Sequence, residues 1–170
     1  MRYLTLIFFS VVLNVACASK EERLQKQMEK VEDIKNKYDM VRGNKLFFSN
    51  DSIRTSFTYF LDNDEIAIIN EEMYTRNLGQ SFNLHFYDRT KTICIELVQM
   101  NYEPKENKFD KHTADISIFF DDDGDVLESR KLVNNKPQEM EKDEISSILN
   151  HSKKILQLSL EDFKEQNKKK

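Results

Sequence analysis

Two cysteines, three glycines, two prolines and no tryptophan in 170 residues put several classes of protein out of reach. With Cys17 inside an apolar leader and Cys94 alone in mid-chain, no disulfide framework can be drawn. Gly43, Gly79 and Gly124 stand singly, and neither G-x-G-x-x-G nor G-x-x-x-x-G-K occurs, so nucleotide binding through such loops is excluded. A field of one sign is missing too. Twenty-six Lys and Arg stand against 30 Asp and Glu, for a net charge of −4, and the two signs are interleaved, so nothing favours nucleic acid as a partner. The exceptions, Asp121 to Asp123 and Lys168 to Lys170, read as a solvated turn and a frayed tail. No motif calls for a cofactor.

Long apolar runs are absent except at the start. Arg2 is followed by Leu4 to Leu13, apolar apart from Thr5 and Ser10, and then by the short polar-and-small segment Asn14 to Ala18. That is the three-part layout of a secretory signal peptide over 1–18, too short for the roughly 20 apolar residues of a membrane-spanning helix. Two processing routes follow. Ala16-Cys17-Ala18 is an A-x-A site whose cleavage frees a chain beginning at Ser19. Alternatively, Val15-Ala16-Cys17 resembles the end of a bacterial lipoprotein box, with Asn14 where an aliphatic residue is usual, and Ser19-Lys20-Glu21-Glu22 resembles the lysine-plus-acidic export tag of surface lipoproteins. That resemblance implies a lipid on Cys17. Either route leads to export, as a periplasmic, secreted or membrane-anchored protein, with membrane contact only through the signal peptide or the lipid. Losing the first 18 of 170 residues, Arg2 among them, leaves 152 residues with a net charge of −5, one ordinary domain.

Within 19–170, Ser19 and Glu22 form a capping-box pair. Leu24, Met28, Val31, Ile34, Tyr38 and Val41 then lie on one stripe, predicting an amphipathic helix over 19–43 closed by Gly43 as a left-handed cap. From 46 to 133 the period becomes 2, predicting an antiparallel meander of about six strands. The first hairpin turns at Asp62-Asn63-Asp64-Glu65, with Leu61 opposite Ile66 and Tyr59 opposite Ile68. Glu71 to Gln80, polar and containing Gly79, reads as a longer connection or a fraying strand. In the second hairpin, closing Asp88-Arg89-Thr90-Lys91 pairs Phe86 with Ile93, Leu84 with Ile95 and Phe82 with Leu97. That register sets His85 across from Cys94 and Asn83 across from Glu96. Asn101 to Thr113 reads as a surface loop, and a third hairpin turns through Asp121 to Asp125 with Gly124 at a positive φ. Pro137 marks the first turn of a C-terminal helix over 137–166, whose stripe includes Ile145, Ile148, Leu149, Ser152, Leu156 and Phe163 and covers the sheet, leaving a basic tail at 167–170. The fold class is α+β.

The sharpest chemical candidate is Cys94 beside His85, with Glu96 or Asn83 to orient the ring, as in a cysteine hydrolase or acyltransferase. Mid-strand positions lack the oxyanion donors that loops and helix N-termini provide, so the pair reads better as a core thiol and a cross-strand filler. His85, His112 and His151 show no metal-ligand spacing. Asp121, Asp123 and Asp125 offer hard oxygens, but Gly124 falls too early for an EF-hand loop. Thr58, Phe60, Asn83, His85, Tyr87 and Phe119 make a mixed polar and aromatic face that suits a ligand or partner if no helix covers it. The expectation is therefore an exported bacterial envelope or secreted protein that binds a small ligand or an envelope protein without chemistry of its own. The cysteine enzyme and a passive structural lipoprotein are the alternatives.

Overall fold

The computed structural model describes residues 18–37, 39–49, 53–75, 79–103 and 108–168, with 101–103 and 108–113 described by backbone alone. Helix α1 (Lys20–Lys35) precedes strands β1 (Val41–Ser49), β2 (Ile53–Asp62), β3 (Glu65–Thr75), β4 (Gly79–Asp88), β5 (Lys91–Glu103), β6 (Lys108–Phe120), β7 (Val126–Val133) and β8 (Lys136–Gln138). Helix α2 (Lys142–Asn167) is the last element among the described residues. The α+β class, the antiparallel sheet and the helix at each end are as the sequence predicts. Among the described residues the sheet, however, has eight strands in sequential order where about six were expected.

The two additional strands lie at the sheet edges. Helix α1 begins with the expected capping box, the Ser19 hydroxyl accepting from the Glu22 amide and the Glu22 carboxylate from the Ser19 amide. It ends at Lys35, so the expected helix over 19–43 is too long. Val41 and Gly43 belong to β1, and Gly43 caps nothing: it lies in a bulge opposite Tyr59. Tyr38 lies outside the described residues. At the other edge, Asn134 and Asn135 adopt φ of 50° and 62°, a two-residue hairpin turn into β8. Pro137 therefore sits on an edge strand, where its missing N–H costs no ladder bond, and the C-terminal helix starts at Lys142 rather than 137. The polar stretch 71–80 extends β3 to Thr75 and opens β4 at Gly79, and the expected loop over 101–113 carries β5 to Glu103 and resumes β6 at Lys108.

Each central hairpin carries a bulge near its turn. Ala67 on β3, Ile93 on β5 and Leu127 on β7 are the extra residues, all buried. Each bulge shifts the register by one, which moves every side chain beyond it to the opposite pairing. Tyr59 therefore faces Ile69, correcting the expected Ile68, while Leu61 does pair with Ile66. Phe86 faces Cys94, Leu84 faces Glu96 and Phe82 faces Val98. None of the three predicted apolar pairs of that hairpin forms.

The helices cover opposite faces. Helix α1 packs Val31 and Ile34 onto Ala67, Phe86, Ile93 and Cys94 at the turn end of the sheet. Its N-terminal half is tied to the acidic turn, Arg23 to Asp121 at 2.7 Å and Gln27 to Asp122 at 3.1 Å, while Lys30 reaches Asp88 at 2.6 Å. Helix α2, 26 residues and so about 39 Å long, matches the roughly 34 Å width of eight strands. It crosses from Lys131 of β7 (to Glu144, 2.7 Å) over Tyr87 of β4 (to Ser152) to Tyr59 of β2 (to Asp162, 2.7 Å). Beneath it lie two apolar clusters, one built on Phe57, Tyr59, Ile69 and Tyr87 and one on Ile95, Ile116, Ile118 and Phe120.

Candidate functional site

The register shift separates the proposed catalytic pair. His85 stands opposite Ile95 on the α2 face, whereas Cys94 stands opposite Phe86 on the α1 face. A sheet lies between them. Cys94 is fully buried, and burial, reinforced by the nearby Glu96 charge, pushes its thiol well above the ordinary value. Glu96 shares the α1 face with Cys94 but is engaged by Lys35 at 2.7 Å. A thiol held protonated and out of reach of an imidazole is no nucleophile.

What the fold does assemble is a buried carboxylate. Glu71 on β3 has no solvent exposure and lies under α2. Its Oε1 accepts from the Thr55 hydroxyl at 2.6 Å and from His151 Nε2 at 2.7 Å. Its Oε2 accepts from Asn83 Nδ2 at 2.7 Å and from His85 Nε2 at 3.2 Å. Burial by itself raises the Glu71 pKa and is the largest influence, but hydrogen bonds from His151 and His85 overcome it and hold the carboxyl well below the usual range. His85, buried at 1 % exposure, is pushed down by desolvation against the pull of Glu71, so it is neutral, donates through Nε2 and leaves Nδ1 without a partner among the described residues. Four donors fill the roughly four lone-pair positions of the carboxylate, which leaves none to accept a substrate proton. The centre is therefore a clamp between α2 and the sheet.

Glu71, Thr55 and His151 are the members of the clamp that sequence reasoning misses, Glu71 because its polar stretch reads as a connection or a fraying strand with no buried face. The signal for His151 was present: it lies three residues after Ile148 and four before Ile155, at the border of the buried stripe of α2. Although His85, His151 and Glu71 meet, each imidazole addresses a different carboxylate oxygen, and among the described residues no group of three or more His, Cys, Asp or Glu is arranged to hold a metal ion. The His112 side chain is outside the described residues.

The clamp sets a pH dependence. Both Glu71 and His85 have lowered pKa values in the fold, so the unfolded chain binds more protons on acidification. Stability is expected to be complete above about 6.5, the ordinary His85 value, to fall below it, and to fall more steeply below 4.5, the ordinary Glu71 value. Urea midpoints measured from pH 8 to pH 4 test this; a flat profile across that range contradicts the assignment.

The remaining candidates are dispersed. Asp121 is buried, its Oδ1 accepting from the Asp123 and Asp125 amides at 3.0 and 2.9 Å and its Oδ2 from Arg23, with Gly124 at φ 90° as expected. Asp123 and Asp125 are exposed, so the acidic turn anchors α1. The expected binding face does not exist as one surface. Asn83, His85 and Tyr87 are buried beneath α2, while Thr58, Phe60 and Phe119 face the α1 side, Thr58 buried and the two phenylalanines half-buried.

Helix α1 covers only the turn end of its face. At the other end, antiparallel pairing sets Phe47, Ser56, Glu72, Phe82, Val98, Asp115 and Leu132 in one row across β1 to β7, flanked by Arg54, Tyr74 and Gln80. Phe47 is 77 % exposed, Phe82 41 % and Tyr74 39 %. Among the described residues no helix is long and apolar enough to cross a membrane. Comparison with protein families, with curated proteins and with solved structures finds no match to this chain.

Proposed function

We propose that the protein is exported and acts by binding, through the open end of the α1 face, without chemistry of its own. Export rests on the leader, with its charged start, its ten-residue core and the two processing routes at Cys17 and Ala18. The observation that carries the binding reading is the group of exposed aromatic residues Phe47, Tyr74 and Phe82 at the end of the sheet face that α1 leaves uncovered. Exposed aromatic groups in one region mark recognition surfaces more often than chance placement does. The cysteine-enzyme alternative loses its support with the separation of Cys94 from His85. Reaction of the native protein with a thiol reagent discriminates the two: Cys94 should label only as fast as the protein opens. Rapid labelling with a bell-shaped pH profile would overturn the binding-only reading. The mass of the mature N-terminus distinguishes a free Ser19 from a lipid-bearing Cys17.

A further inference from the structure

We propose that the open band of the α1 face binds a neutral oligosaccharide laid across the strands, an assignment that rests on the binding reading above. The band holds two shallow depressions. One, of about 350 Å³, lies among Phe47, Arg54, Glu72, Tyr74 and Gln80; the other, of about 260 Å³, lies among Glu96, Val98, Asp115, Arg130 and Leu132. Phe82 stands between them, in the same row as Phe47 and three strands away, roughly 14 Å at ordinary strand spacing.

The chemistry of the band selects the ligand. Among the described residues Lys35, Lys45, Arg54 and Arg130 stand against Glu72, Glu96 and Asp115 on the same face, so the band carries no strong field of one sign and does not favour an anionic polymer or an anionic membrane. Its aromatic rings are separated by a guanidinium, a carboxylate and an amide, whereas the core of a protein interface is depleted of charge. Gln80 donates to Glu72, which orients that pair along the surface, and Arg54 has no partner among the described residues. Flat rings that stack on the C–H faces of a sugar, alternating with planar groups able to bond adjacent hydroxyls, suit a molecule that is apolar on its ring faces and polar around its rim. The flat, shallow form of the band admits an extended chain and would leave a compact small molecule largely in water.

The test titrates the isotope-labelled protein with cellohexaose, xylohexaose, mannohexaose, maltohexaose and chitohexaose while amide shifts are followed by NMR. At least one is expected to give saturable shifts centred on Phe47, Tyr74, Phe82 and Val98. Phe82→Ala should weaken that binding about tenfold, roughly 1.4 kcal/mol, and Val126→Ala, at an exposed valine outside the band, should leave it unchanged. Unchanged amide spectra elsewhere establish that both variants are folded. The assignment is overturned if no hexasaccharide shifts the band. It is overturned equally if the band's signals broaden with protein concentration and Phe82→Ala abolishes the effect, because the occupant is then a second copy; the binding reading survives that result. Rapid pH-dependent labelling of Cys94 strikes the binding reading itself, whatever the sugars do.

Discussion

Replacing Glu71 by glutamine is expected to destabilise the protein by about 3–5 kcal/mol, although the side chain keeps its size. The reason lies in the count of donors. Thr55 and His151 address one carboxylate oxygen and Asn83 and His85 the other, so all four partners arrive as donors. Glutamine offers one oxygen and one NH₂, and whichever way it turns, the NH₂ confronts two groups that donate in the parent, which must rotate or change tautomer before they can accept in a site without exposure. Two buried donors then lose their acceptor, each at about 1–3 kcal/mol. Glu71→Leu should cost a similar amount, since it strands all four donors but adds apolar contact. Urea denaturation gives the loss directly, and the acid-side fall in stability below 4.5 should flatten in the glutamine variant because the titrating carboxyl is gone. A glutamine variant within 1 kcal/mol of the parent would show that Glu71 does not hold this network.

The same site shows why a reading of strand faces from sequence goes only part of the way. The turn chemistry was legible: Asn63-Asp64 and Gly124 adopt the positive φ their residue types allow, and the Ser19–Glu22 pair forms its capping box. The strongly periodic stripe of the last helix was legible as well, down to Ser152 and Leu156. Register was not, because the expected pairing assumed one apolar and one polar face. A helix on each side removes that constraint. Phe86 meets an apolar partner whether it faces Ile93 or Cys94, so alternation cannot choose, and the bulge at Ile93 decides by burying Ile93 and Cys94 together under α1. The bulges at Ala67 and Leu127 act at the same end of their hairpins, where a stretch that reads as plain alternation shows no trace of the extra residue. One consequence is that His85 and Ile95, expected on opposite faces, are neighbours in one buried layer. Substituting His85 therefore reaches the core as substituting Ile95 does.

Edge strand β1 was hidden for a different reason. Arg42-Gly43-Asn44-Lys45 lacks any alternation, and only the partner strand shows why. Gly43 and Asn44 form the bulge opposite Tyr59, and a Cβ built at Gly43 would overlap the tyrosine ring. Gly43→Ala is accordingly expected to cost about 3 kcal/mol, the upper part of the range for forcing atoms into a filled space. The ring cannot easily give way. Tyr59 has no exposure, meets Phe163 edge-on at 6.5 Å between centroids, donates to Asp162 and accepts from Gln166 at 2.8 Å. Asp162 is in turn bonded by Asn44, so β1, β2 and the C-terminal end of α2 share one fixed point. Moving the ring breaks the fixed point, and the loss should appear as fraying of β1 and of α2 beyond Leu158 in hydrogen exchange before the rest of the sheet opens. The decisive comparison is a double-mutant cycle with Tyr59→Ala, which costs stability itself but empties the space above Gly43. In that background Gly43→Ala should cost less than 1 kcal/mol, giving a coupling of about 2 kcal/mol. Additive losses would instead place the cost of Gly43→Ala in the backbone of the bulge and remove Tyr59 as the reason this position is glycine.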